Sequence, residues 1–181
     1  MIRLGSNSET RALILREKGI EFIQTGCDFD EESVTETDPK KFVYAVTFGK
    51  FNDCKDKFGL DTPILVADTI VVANNKILRK AYSREEAKNI LLEQSGNTVS
   101  IITAMVFQKD NFQMIDLSST DYKFREFESS ELEKYLDSND WQGKAGACMV
   151  EGFCQSHIES FRGFTSTAMG LTVEKIVPYL N

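Results

Sequence analysis

The chain has 181 residues, of which 41% are apolar and 27% charged, and a formal net charge of −7 at pH 7. This length and composition exclude disordered and collagen-like proteins and fit one compact domain. The acidic balance argues against unselective binding to nucleic acid or anionic membranes. No apolar run approaches the ~18 residues of a membrane span, and the N terminus lacks the apolar core of a signal peptide. We therefore expect a soluble cytoplasmic protein with no nucleic-acid or membrane partner.

The cysteines and the single histidine bear on metal and redox chemistry. Cys27, Cys54, Cys148 and Cys154 contain no C-x-x-C pair, so we expect reduced thiols and no zinc site. His157 is the one histidine, and the chain has no nucleophile-elbow pattern around a serine. We interpret His157 as an ordinary surface or half-buried residue.

Helices and strands are predicted to alternate along the chain, with no repeat, low-complexity tract or Pro/Gly linker. In chain order the patterns predict strand 2–4, helix 8–18, strand 20–24, helix 39–58, strands 63–67 and 70–72, helix 83–92, strands 99–107 and 113–124, and helices 129–136 and 173–180. The polar turn at 109–111 favours a hairpin, so the sheet should be mixed. We predict a single α/β domain over residues 1–181, with a mixed, mostly central β-sheet flanked by helices.

The first strand–loop–helix unit has the features of a phosphate site. Ser6 and Glu9 have the spacing of a capping box, and Arg11 lies one turn into the helix. A helix start offers unpaired amides and a positive dipole end, which suit an anion. The alternative is that Ser6 only caps its own helix and Arg11 is solvated.

Asp68 directly follows the apolar run 64–67, which is typical of a strand buried on both faces. We expect Asp68 at the end of this strand, where α/β proteins place ligands. Such a carboxylate could bind a divalent cation or take a proton from water. The alternative is a buried ion pair with a purely structural role.

Several cations lie in short polar contexts, namely Lys50, the pair Arg79–Lys80, and Lys144 within G-K-A-G-A. Small residues around a lysine let a ligand approach the backbone closely. Each lysine alone is typical of a solvated surface. Together with Asp68, these cations are what a polyphosphate site would require.

Six short motifs occur in a fixed order. They read L-G-S-N-S-E-T-R at 4–11, A-D-T-I at 67–70, L-R-K-A at 78–81, Q-S-G at 94–96, K-A-G-A-C-M-V-E-G at 144–152 and A-M-G-L-T at 168–172. Through them the chain resembles the Maf family of nucleoside triphosphate pyrophosphatases, which opens with L-A-S-x-S-P-R-R and has K-A-G-A-Y-G-I-Q-G as its late block. The resemblance extends from residue 2 to residue 180.

The resemblance implies hydrolysis of a nucleoside triphosphate between the α- and β-phosphates, in a nucleotide cleft between two lobes. Asp68 would then be the catalytic residue that accepts a proton from water. The substrate-binding residues would be Ser6, Arg11, Lys50, Lys80 and Lys144. The reaction would require Mg²⁺ or Mn²⁺, for which the candidate ligands are Asp68, Glu31 and Glu32.

The positions that correspond to the family's selectivity residues are Thr10, Thr69 and Glu151. Thr69 matches the branch that prefers dTTP and UTP, whereas Glu151 resembles the branch associated with 7-methylguanosine triphosphate. The base preference therefore stays open, and the possible substrates include a non-standard or modified nucleotide.

The resemblance also implies that the chain can form a homodimer and acts in cleaning the nucleotide pool. Two other functions remain open on the residues alone. One is a non-catalytic, nucleotide-binding regulator of cell division and septum formation. The other is a structural α/β domain in which Asp68 is only ion-paired.

Overall fold

The computed structural model describes residues 1–180 and confirms an α/β fold with a mixed sheet. In this part of the chain the strands are β1 (Ile2–Gly5), β2 (Phe22–Thr25), β3 (Ile64–Ala73), β4 (Lys76–Leu78), β5 (Thr98–Lys109), β6 (Phe112–Phe124) and β7 (Ile158–Arg162). The α-helices are α1 (Glu9–Glu17), α2 (Pro39–Phe58), α3 (Arg84–Gln94), α4 (Ser129–Ser138), α5 (Thr165–Ala168) and α6 (Val173–Ile176). Short 3₁₀ helices occupy Glu31–Ser33, Phe153–His157 and Val177–Tyr179.

The hydrogen-bonded order of the sheet is β2-β1-β3-β5-β6-β7, and β4 pairs with β3. Strand β1 runs parallel to β2 and to β3. Strand β4 is antiparallel to β3, and β7 is antiparallel to β6. The hairpin expected from the turn at 109–111 is present, because only Asp110 and Asn111 separate β5 from β6.

Local sequence explains where the two longest helices begin. The side chain of Asp38 accepts a hydrogen bond from the amide of Lys41, and Pro39 occupies the first turn of α2. The side chain of Ser83 accepts from the amide of Glu86 at the start of α3, which agrees with the predicted helix start at residue 83.

The apolar run in β3 is buried on both faces, as its composition predicts. Leu65 and Ala67 belong to a core cluster with residues of α1 and α6. Ile64 and Val66 belong to a second cluster with Phe51 of α2. Because side chains alternate along a strand, the sheet is covered by helices on both sides at this point.

Several predicted elements differ from the observed ones. The segments 63–67 and 70–72 form one continuous strand, because the polar residues between them keep the extended conformation. The predicted closing helix 173–180 is α6 followed by a 3₁₀ turn that contains Pro178. Strands β4 and β7 were not predicted, since their short sequences lack a clear alternation.

The chain divides into two compact units. Unit 1 comprises residues 1–69, 102–119 and 164 onward, and it contains the two core clusters that cover β3. Unit 2 comprises residues 70–101 and 120–163, where α3 and α4 pack together. No helix within residues 1–180 is long and apolar enough to cross a membrane.

Two expectations about side chains in unit 2 are wrong. Cys148 and Cys154 form a disulfide, because a turn closed by the Gly152 amide on the Met149 carbonyl folds the segment back on itself. His157 is buried, with its Nε2 atom 3.1 Å from a carboxylate oxygen of Glu131. Cys27 and Cys54 are free thiols, as predicted.

Candidate active site

Strand β3 carries the candidate catalytic residue near its middle. Asp68 is the fifth of ten strand residues, so the prediction that it follows the end of the strand is wrong. It lies on the same side of β3 as Val66, the side covered by α2. Only 8% of Asp68 is exposed, which makes an ionised carboxylate here dependent on a partner.

That partner is Lys50 of α2. Its Nζ atom lies 2.6 Å from Oδ1 of Asp68 and 2.6 Å from Oε1 of Glu31. The two carboxylates therefore approach the same ammonium group from different parts of the chain. Glu31 reaches it from a 3₁₀ turn in which the side chain of Asp30 accepts from the amide of Glu32.

Burial and charge act in opposite directions at this cluster. Burial raises the pKa of Asp68, and the nearby charge of Lys50 partly offsets that rise. Burial alone would lower the pKa of Lys50, but Asp68 and Glu31 together outweigh it and raise the pKa. Lys50 is consequently held in its charged form, while Asp68 is a stronger proton acceptor than an ordinary aspartate.

The loop after β1 differs in one detail from the sequence prediction. Ser8, and not Ser6, is the N-cap of α1, since the Ser8 side chain accepts from the amide of Arg11 at 3.4 Å. Ser6 instead accepts from the amide of Ser8 at 3.2 Å and from Nη1 of Arg11 at 3.0 Å. The prediction that Ser6 caps α1 in a capping box with Glu9 is therefore wrong.

Arg11 is not solvated. Besides Ser6, its Nε atom donates to the carbonyl of Gly170 at 2.8 Å, and Nη2 donates to Oγ1 of Thr69 at 3.1 Å. Gly170 has a φ of +98°, and a Cβ there would lie 3.3 Å from Nε of Arg11. The A-M-G-L-T motif thus supplies a glycine that lets the backbone come close to the guanidinium.

A row of threonines continues from Arg11 through Thr69, and no sequence signal pointed to its buried members Thr103 and Thr167. Thr69 lies on the side of β3 opposite Asp68, and its hydroxyl is 2.9 Å from that of Thr103 on β5. The Thr103 hydroxyl donates to the carbonyl of Thr167 at 2.8 Å. Thr103 lies in a strand rich in β-branched residues, where a threonine is not unusual. Only the tertiary structure therefore identifies its partners.

A cavity of about 210 Å³ lies in unit 1 next to Lys50 and Arg11. Ser6, Arg11, Glu31 and Lys50 contribute to its lining. The volume is smaller than the roughly 300–1,000 Å³ of pockets that enclose a whole small molecule, so it suits part of a nucleotide. Two cations and the loop at Ser6 line it, which favours the phosphate part.

The remaining candidates occupy different places. Thr10 is half-buried in the first turn of α1. Lys80 forms an isolated antiparallel β-bridge with Ala145 in unit 2. Lys144, the residue before Ala145, is half-buried. Glu151 is exposed within the segment closed by the disulfide.

The donor set fits a hard divalent cation only in part. Within residues 1–180, no group of three carboxylate, histidine or cysteine side chains is preformed around one point, so Asp68, Glu31 and Glu32 are not a ready-made cage. Asp68 and Glu31 nevertheless converge on the Lys50 ammonium, and one or two carboxylates plus phosphate oxygens is the usual protein contribution to a Mg²⁺ site. The residues present therefore fit a cation that arrives with a phosphate ligand.

Comparison with known proteins identifies the family of the chain. A family model described as Maf-like protein matches residues 1–181. A nucleoside triphosphate pyrophosphatase of a Nitratiruptor species is 50% identical over 178 residues, which cover 97% of this chain and 96% of the relative. A protein of the same name from Helicobacter pylori (strain J99) is 38% identical, and the match covers 96% of this chain and 92% of the relative. Another from Campylobacter jejuni subsp. doylei is 34% identical, and the match covers 99% of this chain and 100% of the relative. The chain belongs to the Maf family.

Proposed function

We propose that the chain is a nucleoside triphosphate pyrophosphatase that releases a nucleoside monophosphate and pyrophosphate. The observation that carries this proposal is the single lysine, Lys50, that contacts both Asp68 and Glu31 beside a cavity. This lysine and Asp68 are largely buried and lie beside a cavity, whereas Lys57 pairs with two carboxylates on the exposed surface, so the Lys50 cluster is the candidate site for a charged ligand. The names of the relatives support the same activity.

In the proposed reaction Asp68 takes a proton from a water molecule. The water oxygen forms a bond to the α-phosphorus, and the bond from that phosphorus to the α–β bridging oxygen breaks, so pyrophosphate leaves with the electron pair. The raised pKa of Asp68 brings it closer to the pKa that general-base catalysis favours at neutral pH. Lys50 orients the carboxylate through Oδ1.

Cationic and amide donors hold the phosphates in this proposal. Lys50 and Arg11 place two positive charges at the cavity, and Ser6 and the start of α1 add hydroxyl and amide groups. Lys80 and Lys144 are proposed as further phosphate ligands. Of the five N–H groups of Arg11, three are committed to protein acceptors, so its contribution is mainly its charge and its position.

We further propose that Asp68 and Glu31 would hold a Mg²⁺ or Mn²⁺ ion, with Glu32 as the other candidate. When bound, such an ion neutralises charge on the transferring phosphoryl group. We also propose that residues 1–181 form one catalytic domain, and we predict that two copies of the chain form a homodimer. A non-catalytic regulator of septum formation is not favoured, because binding alone would not need a buried carboxylate of raised pKa.

The direct test measures pyrophosphate and nucleoside monophosphate from a panel of normal and modified triphosphates, with Mg²⁺ or Mn²⁺. We expect the two products in equal amounts for at least one nucleotide. Release of inorganic phosphate and a diphosphate would place the cleavage at a different bond. Absence of any hydrolysis across the panel would favour the regulator.

The same panel tests the role of Glu151 in base selection. An ionised glutamate only accepts hydrogen bonds, which suits the N1–H and N2–H₂ donors of guanine, whereas glutamine can match the O4 and N3–H of a pyrimidine. We expect the wild type to favour GTP or 7-methyl-GTP over dTTP. Glu151→Gln should shift the kcat/KM ratio toward dTTP and UTP by about tenfold, the contribution of one matched hydrogen bond. An unchanged ratio would assign base selection to Thr69 or Thr10.

A further inference from the structure

The threonine row beside Arg11 has a fixed direction of hydrogen bonding. Thr103 has one hydroxyl hydrogen, and its neighbour at 2.8 Å, the Thr167 carbonyl, can only accept. The hydrogen of Thr103 is therefore committed to Thr167. Since the hydroxyls of Thr69 and Thr103 are 2.9 Å apart, Thr69 must be the donor in that bond.

The other side of Thr69 is fixed as well. Nη2 of Arg11 lies 3.1 Å from Oγ1 of Thr69, and a guanidinium can only donate. Thr69 thus donates to Thr103, accepts from Arg11 and keeps one lone pair. Thr69 is half-buried, whereas Thr103 and Thr167 are completely buried, so only Thr69 can meet a ligand.

We propose that Thr103 is a positioning residue for substrate selection: it takes up the hydroxyl hydrogen of Thr69 and leaves Thr69 able only to accept. This inference rests on the proposed nucleotide hydrolysis. An oxygen that only accepts does not bind an ionised phosphate oxygen, which also only accepts. Thr69 therefore suits a donor on the nucleoside, and the fixed direction discriminates at an N–H group of the base, because a ribose hydroxyl can both donate and accept.

The fixed direction has a measurable consequence for pyrimidines. Uracil presents O4 as an acceptor and N3–H as a donor, and cytosine reverses both, with an N4 amino donor and an N3 acceptor. Whichever of these two atoms Thr69 meets, an oxygen of fixed direction matches one of the two bases and mismatches the other. Once Thr103 loses its hydroxyl, Thr69 can rotate its hydrogen and match either base.

The experiment compares kcat/KM for UTP, CTP and 2′,3′-dideoxy-UTP in wild type, Thr103→Val and Thr103→Ser. In Thr103→Val we expect the UTP:CTP ratio to move toward one by about tenfold, because one matched hydrogen bond supports a ratio of this size. The UTP:dideoxy-UTP ratio should stay unchanged, because a ribose hydroxyl can bond to Thr69 in either direction. Thr103→Ser keeps the hydroxyl and should keep both ratios. In a Thr69→Val background, Thr103→Val should change neither ratio further.

Thr47→Val is the matched control. Thr47 is also a buried threonine whose hydroxyl donates to a backbone carbonyl, that of Val43 at 2.7 Å, but it lies within α2. Thr47→Val should lower the free energy of unfolding about as much as Thr103→Val does, and it should leave both kcat/KM ratios unchanged. If Thr103→Val does not fold, Thr103→Cys, whose thiol is a weaker donor and acceptor, should shift the UTP:CTP ratio by a smaller factor.

Two outcomes overturn the inference without touching the proposed function. One is a Thr103→Val or Thr103→Cys enzyme that is folded and active but has the wild-type UTP:CTP ratio. The other is a wild type that hydrolyses UTP and CTP with equal kcat/KM. Failure of the wild type to hydrolyse any triphosphate would instead contradict the proposed function.

Discussion

Replacement of Asp68 by asparagine should lower turnover by ~10²–10⁴ while the protein stays folded, since this is the usual contribution of a positioned general base. Asparagine has nearly the same shape but cannot take a proton from water. It can still accept a hydrogen bond from Lys50, and Lys50 keeps its contact with Glu31, so the lysine is not left without a carboxylate. The measurement is kcat by pyrophosphate release, with thermal unfolding of both proteins alongside.

Asp116→Asn provides the matched control for this variant. The side chains of Asp68 and Asp116 are both 12% exposed and both pair with a lysine, which for Asp116 is Lys175. Asp116→Asn should change the free energy of unfolding about as much as Asp68→Asn does, because both remove a largely buried carboxylate. Asp116→Asn should nevertheless retain the wild-type turnover. A folded Asp68→Asn enzyme with wild-type turnover would remove Asp68 from the catalytic role.

The sequence was most informative where one local pattern decides the structure. The apolar run before Asp68 predicts a strand covered on both faces, and β3 indeed packs against two core clusters. Pro39 and Ser83 mark the beginnings of α2 and α3 correctly, because a helix start depends on a few neighbouring residues. The end of a strand is less well marked, since Asp68 and Thr69 keep the extended conformation despite their polarity.

The sequence was least informative where the partners are distant along the chain. Glu31 and Glu32 are adjacent and chemically identical, and only the orientation of a 3₁₀ turn brings Glu31 to Lys50. Likewise, nothing near Thr103 in sequence indicates that Thr69 and Thr167 are its neighbours. Such contacts depend on how strands and loops are arranged in three dimensions, which the periodicity of single segments does not specify.

Removal of divalent cations should abolish turnover. Asp68 and Glu31 carry two negative charges, and Lys50 and Arg11 carry two positive charges that already interact with them. A nucleoside triphosphate brings several more negative charges to a site where these four charges cancel. The proposed contacts with Lys80 and Lys144 would offset only part of the added negative charge, so the protein alone supplies too little positive charge. We therefore expect no hydrolysis in EDTA and full recovery when Mg²⁺ or Mn²⁺ is added in excess.

The carboxylate that faces Lys50 should determine how much cation is required. Glu31→Gln removes one of the two carboxylates at the ammonium group, so the Mg²⁺ concentration for half-maximal turnover should rise by about tenfold or more, since second carboxylates strengthen such sites considerably. Glu32→Gln changes the neighbouring residue and should raise that concentration less, because Glu31 contacts Lys50 directly, at 2.6 Å. Titration of turnover against Mg²⁺ for both variants measures the difference, and thermal unfolding in EDTA shows whether the fold itself depends on the ion. Undiminished turnover in EDTA would contradict the cation requirement, and a larger effect of Glu32→Gln would transfer the ligand role to Glu32.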